Sequence, residues 1–241
     1  MIPISTKYRS EQAEIMDDFA LQGDELQLLL TDLKTVNTLL GGTNISLDGV
    51  TQLLKYCTKN ETITIIDIGC GDGEILRKCA GLGKKLGLQF ELIGLDANVH
   101  ILNTAREKSK GYSNIQYQTV NILSDNVAIP AHDIALCTLF LHHFPNDIII
   151  RLLQRLMQES KAGVVINDLE RNKLAFSLFK LFSFVFLRTK IAKHDGLVSI
   201  ARSFRRNELQ QFSEKISNTN SQIRWKWAFR YQWILRPTKN T

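Results

Sequence analysis

The stretch Asp67-Ile68-Gly69-Cys70-Gly71-Asp72-Gly73 decides how this chain is read. It follows the apolar run Ile63-Thr64-Ile65-Ile66 and leads straight into Glu74-Ile75-Leu76-Arg77-Lys78-Cys79-Ala80, which reads as a helix. Strand, glycine-rich turn and helix in that order build a crevice for a nucleotide. Glycine lets the backbone turn sharply and approach a ligand, and a helix N-terminus favours negative charge. A dinucleotide site needs G-x-G-x-x-G. Here the glycines fall at 69, 71 and 73, and Glu74 stands where that pattern needs its last glycine.

Three further landmarks follow in order. Phe90-Glu91-Leu92-Ile93-Gly94-Leu95-Asp96 is a second short apolar run ending in an acid. Asp96 sits where a Rossmann-like sheet places the carboxylate that takes both ribose hydroxyls, and Ala97 follows it against the base. Val120-Asn121-Ile122 comes after a third strand, and His132–Thr138 reads as a fourth, running on through Leu139-Phe140 into Leu141-His142-His143.

These landmarks together resemble class I S-adenosylmethionine-dependent methyltransferases, with Asp67 and the three glycines standing as motif I. The resemblance implies that the loop Gly69, Cys70, Gly71, Gly73 passes under the methionine and ribose of the cofactor, and that Asp67 bonds its ammonium group. It places Asn121, where the family usually has Asp, at the adenine, with Ile122 and Leu139 completing the cofactor set. The carbonyl of Asn121 can still accept from the adenine amino group.

Around these motifs strands and helices alternate. Strands are expected at 62–68, 90–96, 115–120, 132–138 and 162–167, with helices near 73–85, 98–110 and 147–160. The alternation calls for an α/β, Rossmann-like, doubly wound and mostly parallel sheet with ligands at the strand C-termini. Ile223–Phe229 and Tyr231–Leu235 read as two more strands, and the resemblance makes them an antiparallel C-terminal hairpin closing a seven-stranded sheet. Ahead of the sheet, Glu11–Phe19, Glu25–Leu40 and Leu47–Thr58 read as helices, with Gly41-Gly42 ending the second. The organisation expected is an N-terminal helical cap over 1–58 and a catalytic domain over 59–241, with 169–206 inserted as a lid.

That insertion carries Leu174-Ala175-Phe176-Ser177-Leu178-Phe179-Lys180-Leu181-Phe182-Ser183-Phe184-Val185-Phe186-Leu187. It is too short, and too interrupted by Lys180, to span a bilayer. A greasy lid fits a hydrophobic acceptor held away from water, and its basic flanks also fit peripheral contact with a membrane surface. Residues 1–170 carry 15 basic against 21 acidic side chains, and residues 171–241 carry 15 against 3. The basic end fits an acidic partner such as a carrier protein. Four cysteines without C-x-x-C spacing argue for a reducing, cytoplasmic setting and against a metal site. No signal-peptide layout is present at the start.

For catalysis, His142 and His143 lie at the mouth of the fourth strand, and Asp168 ends the neighbouring fifth. A carboxylate there orients an imidazole and raises its basicity. His194, in His194-Asp195-Gly196-Leu197, is the rival base, delivered by the lid. His100 and His132 read as surface residues without a role. The segment around His194 resembles a bacterial subgroup of methyltransferases linked to polyketide and aromatic pathways, which implies O-methylation of a phenolic or polyketide hydroxyl. C-methylation of a quinone-type precursor, RNA methylation and a non-catalytic cofactor-binding protein are the alternatives. Against RNA, no N-P-P-Y-type tetrapeptide is present.

Overall fold

The computed structural model describes residues 2–18, 21–58, 61–124 and 126–238. Seven strands form one sheet in the order β3-β2-β1-β4-β5-β7-β6. β1 (Ile63–Ile68), β2 (Phe90–Asp96), β3 (Ile115–Thr119), β4 (His132–Thr138) and β5 (Ser160–Leu169) run parallel. β6 (Thr219–Lys226) and β7 (Arg230–Pro237) pair antiparallel, and β7 docks antiparallel on β5. The sequence-based expectation of a Rossmann-like sheet closed by a hairpin therefore holds. β1 and β4 are buried along nearly their whole length because helices cover both faces. Strand order reverses beside β1, so the crevice opens above the C-termini of β1 and β4.

The helices form where apolar spacing gives one buried face. α3 (Glu74–Leu86) buries Ile75, Leu76 and Cys79, and α5 (Asn146–Glu159) buries Ile149, Leu152, Leu153 and Leu156. α4 (Val99–Lys108) starts on Asn98, whose side chain accepts from the N–H groups of His100 and Ile101. α8 (Arg206–Lys215) packs Leu209 and Phe212 beside Trp233 of β7.

Three expectations fail locally. Glu11–Phe19 is not a helix: only Ile15–Asp17 makes a 3-10 turn, and Phe19 lies outside the described residues. Backbone donors there serve tertiary partners. Ser10 N–H bonds the carbonyl of Ala201, and the N–H groups of Ile15 and Met16 bond the carboxylate of Asp195. Next, α1 (Gly23–Leu39) ends as expected, but α2 (Gly42–Leu53) begins five residues before Leu47. Gly41 alone, at φ 69°, makes the break, and Gly42 is already helical. Finally, His132 is buried, with Nδ1 2.7 Å from the carbonyl oxygen of Pro130.

α2 belongs to the sheet's own core. Val50 and Leu53 pack with Ile63, Ile65 and Val165. Between β5 and α8 the chain forms α6 (Lys173–Phe186) and α7 (Lys190–Arg202). Both lean on α1, where Leu29 meets Leu187, Ile191 and Ala192. Buried Asp32 of α1 accepts from the N–H groups of Arg188 and Thr189 and from the Thr189 hydroxyl, pinning the α6–α7 turn. No helix among the described residues is long and apolar enough to cross a membrane.

Gly49 is where α2 touches β5. A Cβ there would stand 2.3 Å from Val165 Cγ1. Gly49→Ala is expected to destabilise the protein by about 1–3 kcal/mol through overpacking. Gly81, on α3 with open space around it, is expected to gain up to about 1 kcal/mol as Ala. Denaturant melts of the two variants check the pair, and equal effects would contradict this packing.

Candidate active site

The glycine loop leaves β1 at Ile68 with Gly69, Gly71 and Gly73 all at positive φ (67°, 54° and 77°). A side chain at Gly69 would enter the ring of Phe140, and one at Gly73 the hydroxyl of Tyr117. Only Gly71 opens on free space. The N–H of Gly71 bonds Asp96 Oδ2 at 3.0 Å, and Asp96 Oδ1 accepts from Asn98 N–H at 2.9 Å. Asp96 thus ties the loop to the end of β2, keeping one lone pair on each oxygen for a ligand. Burial raises its carboxyl.

Asp67 is 2% exposed, and its Oδ1 has no hydrogen-bond partner. Burial, and secondarily the charge of Asp96, push its carboxyl up to about 8. A buried acid with an unmet oxygen is a seat for a cation. Cys70 turns inward against Leu102 and Ala105, and burial lifts its thiol well above the ordinary range.

A second cluster stands across the crevice. His142 is 2% exposed and lies between two carboxylates. Its Nδ1 is 2.7 Å from Asp168 Oδ1, and its Nε2 is 3.3 Å from Glu14 Oε1. Burial pulls the imidazole down, but Asp168 and Glu14 outweigh it and raise His142 to about 9. Both acids are correspondingly lowered: the imidazole, against burial, holds Glu14 and Asp168 ionised. His143 Nδ1 stands 2.9 Å from Asp17 Oδ1 and 4.0 Å from Glu14 Oε1. The contacts of His142 Nε2 and His143 Nδ1 are close enough for ion pairing, at angles that make no well-formed hydrogen bond.

Two guanidiniums hold this corner rigid. Arg9 Nη2 and Arg202 Nε both donate to the carbonyl of His142, and Arg202 Nη2 donates to that of His143. Leu139, at φ 52°, turns the chain out of β4 into the histidine pair, with its N–H on the carbonyl of Asn167. Glu14 is tied to α7 through Ser199.

The loop and the histidine corner open into one cavity of about 470 Å³. Asp67, Gly69, Gly71, Leu139, His142 and His143 line it, together with the apolar side chains of Leu33, Val36, Leu178, Phe179, Phe182 and Trp227. Of the residues singled out from sequence, Gly73, Asp96, Ala97, Asn121, Ile122, Asp168 and His194 do not line it; Asp96 stands behind Gly71 and Asp168 behind His142. Ile122 is core, and the Asn121 side chain accepts from Leu123 N–H. His194 points to Asp195 (2.8 Å) and Gln12 (3.2 Å), outside the cavity wall. Glu14 and Asp17, which complete the corner, had no signal in the sequence beyond being acids in a segment read as a helix.

Residues 65–163, which hold the loop, Asp96 and the histidine pair, match the family described as "Methyltransferase domain". This segment is a methyltransferase domain. S-adenosylmethionine is its cofactor, and the chain's residues fit it: an unmet buried acid for the ammonium, and a loop open at Gly71. Similar solved structures include the plantazolicin methyltransferase BpumL in complex with SAH, at 16% identity. That match covers 88% of this chain and 93% of that one, with TM-score 0.63. The citrinin polyketide synthase CMeT domain is 15% identical over 80% of this chain and 51% of that one, TM-score 0.57. A SAM-dependent methyltransferase from Aquifex aeolicus is 15% identical over 84% and 97%, TM-score 0.54. At these identities they share the fold of the methyltransferase.

Glu14 Oε1, His142 Nε2 and His143 Nδ1 lie within 4.8 Å of one another, near enough to hold a metal ion. A proton on His142 neutralises the same acids without one. The raised imidazole contributes stability in full below its ordinary 6.5 and loses it as pH rises through about 9. The lowered acids contribute above the ordinary carboxylate range and lose it as pH falls through their folded values. The melting temperature of the wild type is therefore expected to fall from pH 7 to 10. His142→Gln should flatten that alkaline limb, which scanning fluorimetry across pH 5–10 reads directly.

Proposed function

We propose that this methyltransferase O-methylates a hydrophobic phenolic or polyketide-like small molecule, with His143 as the base. The observation that carries the reading is the shared cavity. The glycine loop and a histidine–carboxylate corner line the same cavity, and leucine, phenylalanine and tryptophan side chains supply its apolar wall. A vestibule walled by leucine, phenylalanine and tryptophan fits an aromatic or alkyl acceptor and offers little to a phosphate backbone.

S-adenosylmethionine, when bound, supplies a methyl group already activated on a sulfonium. The chain then has to seat that group, align the acceptor and remove one proton. Asp67 would take the ammonium, and the backbone around Gly71 would lie beside the nucleoside. Asp96 would turn its remaining lone pairs to the ribose. His142 is poorly suited to take a proton, because two carboxylates already keep it protonated near neutral pH. It is better read as the fixed cation that holds Asp168 and Glu14 in place. His143 lines the cavity with Nδ1 turned to Asp17, which leaves Nε2 as the basic nitrogen. His194, which faces away from the cavity, is set aside as the base.

C-methylation of an electron-rich ring would use the same corner, with the proton leaving after the methyl arrives. Radiolabelled methyl transfer onto phenols, quinone precursors and RNA separates the acceptor classes. Phenol labelling is expected, and labelling of RNA alone would overturn the reading.

His143→Ala is expected to cut kcat by about 10²- to 10⁴-fold with cofactor binding kept. Full activity in that variant would remove His143 from the mechanism. Asp67→Asn is expected to weaken S-adenosylmethionine binding about ten- to hundredfold, the loss of one charge-assisted contact. Calorimetry measures it.

A further inference from the structure

Among the described residues, nothing packs on the outer face of α6. Leu174, Leu178, Leu181, Phe184, Val185 and Phe186 are 45–79% exposed on this one helix. Leu174, Leu178, Leu181 and Val185 follow at intervals of four, three and four residues, which puts them on one side. Phe179 and Phe182, on the neighbouring side, line the cavity. The helix therefore divides its apolar residues between the interior vestibule and the outside. Trp227, 69% exposed, adds an aromatic ring at the cavity wall from the β6–β7 turn. A contiguous apolar surface of this kind is a contact surface.

The surrounding charge identifies the partner's chemistry. Residues 171–194 contain six lysines and arginines and no Asp or Glu. Arg171 is buried and paired with Glu208. Lys173, Lys180, Arg188 and Lys190 are exposed, and Lys193 is half-buried. An apolar stripe with cationic flanks on a helix too short to span a bilayer is the pattern of a segment that lies in an anionic lipid surface. The aromatic Trp227 suits the same interfacial depth.

We propose that α6, with Lys173, Lys180, Arg188 and Lys190 around it, docks the enzyme on an anionic membrane surface with the apolar cavity close to the lipid. A lipid-soluble acceptor would then pass from the acyl layer into the vestibule beneath Phe179 and Phe182 without crossing water. The docking itself does not depend on which acceptor the site takes, so it stands or falls apart from the O-methylation reading.

Co-sedimentation of the full chain with vesicles tests it. Phosphatidylcholine vesicles with about one-third phosphatidylglycerol are expected to pull the protein down at low salt, and phosphatidylcholine alone to do so much less. Binding should weaken as salt rises. The double variant Leu181→Ser/Phe184→Ser removes exposed apolar groups, so its melting temperature and S-adenosylmethionine binding should stay unchanged while vesicle binding is lost. Lys180→Gln and Arg188→Gln should each weaken partitioning about fivefold. No sedimentation with anionic vesicles, or binding that the Leu181/Phe184 variant leaves intact, overturns the proposal. So does a stable dimer whose dissociation follows Leu181→Ser/Phe184→Ser, since a second copy would then cover the face. Binding of an acidic carrier protein through this face, with vesicles ignored, overturns it as well.

Discussion

The buried contact of His142 with Asp168 and Glu14 is the constraint around which this structure is arranged. An imidazolium in a site 2% exposed is tolerable only if carboxylates surround it. One comes from the end of β5 and the other from the chain's first twenty residues, so the N-terminal segment has to cross the C-terminal edge of the sheet. Arg9 and Arg202 follow from the same need. Their guanidiniums take the carbonyls of His142 and His143 at the end of the 3-10 turn Leu141–His143.

That crossing also shapes the cavity. Glu14 lines one side, Ser199 links it to α7, and Asp32 anchors the turn between α6 and α7. The α6–α7 segment is thereby joined to α1 and to the N-terminal turn. The cavity has both polar and apolar lining because charged groups gather where the sheet's strand ends converge, whereas the helices over them meet through leucine and phenylalanine.

Much of this was legible in the residue order. The β1–loop–α3 unit and strands β2 and β4 lay where apolar runs and glycines placed them; the hairpin formed, but β6 runs over Thr219–Lys226, four residues earlier than expected, and 227–229 make its turn. The pairing of His142 with Asp168 followed from adjacent strand ends in a parallel sheet. The failures cluster where long-range hydrogen bonds override local pattern. Glu11–Phe19 has helical spacing, but the carboxylate of Asp195, from residues far along the chain, takes the N–H groups of Ile15 and Met16. Asn121 and Ile122 followed the expected order along the chain, yet their side chains turn to the local backbone and to the core.

Local periodicity and glycine spacing thus determined the sheet, the order of its strands along the chain and the glycine loop that follows β1. These depend on backbone geometry and on which residues avoid water, and both are written in neighbouring positions. Tertiary structure alone decided that Glu14 and Asp17 join the histidine pair, that His194 stays off the cavity wall, and that one side of α6 is left bare among the described residues. Electrostatic partners and packing faces depend on distances between segments more than a hundred residues apart, and no local pattern encodes those distances.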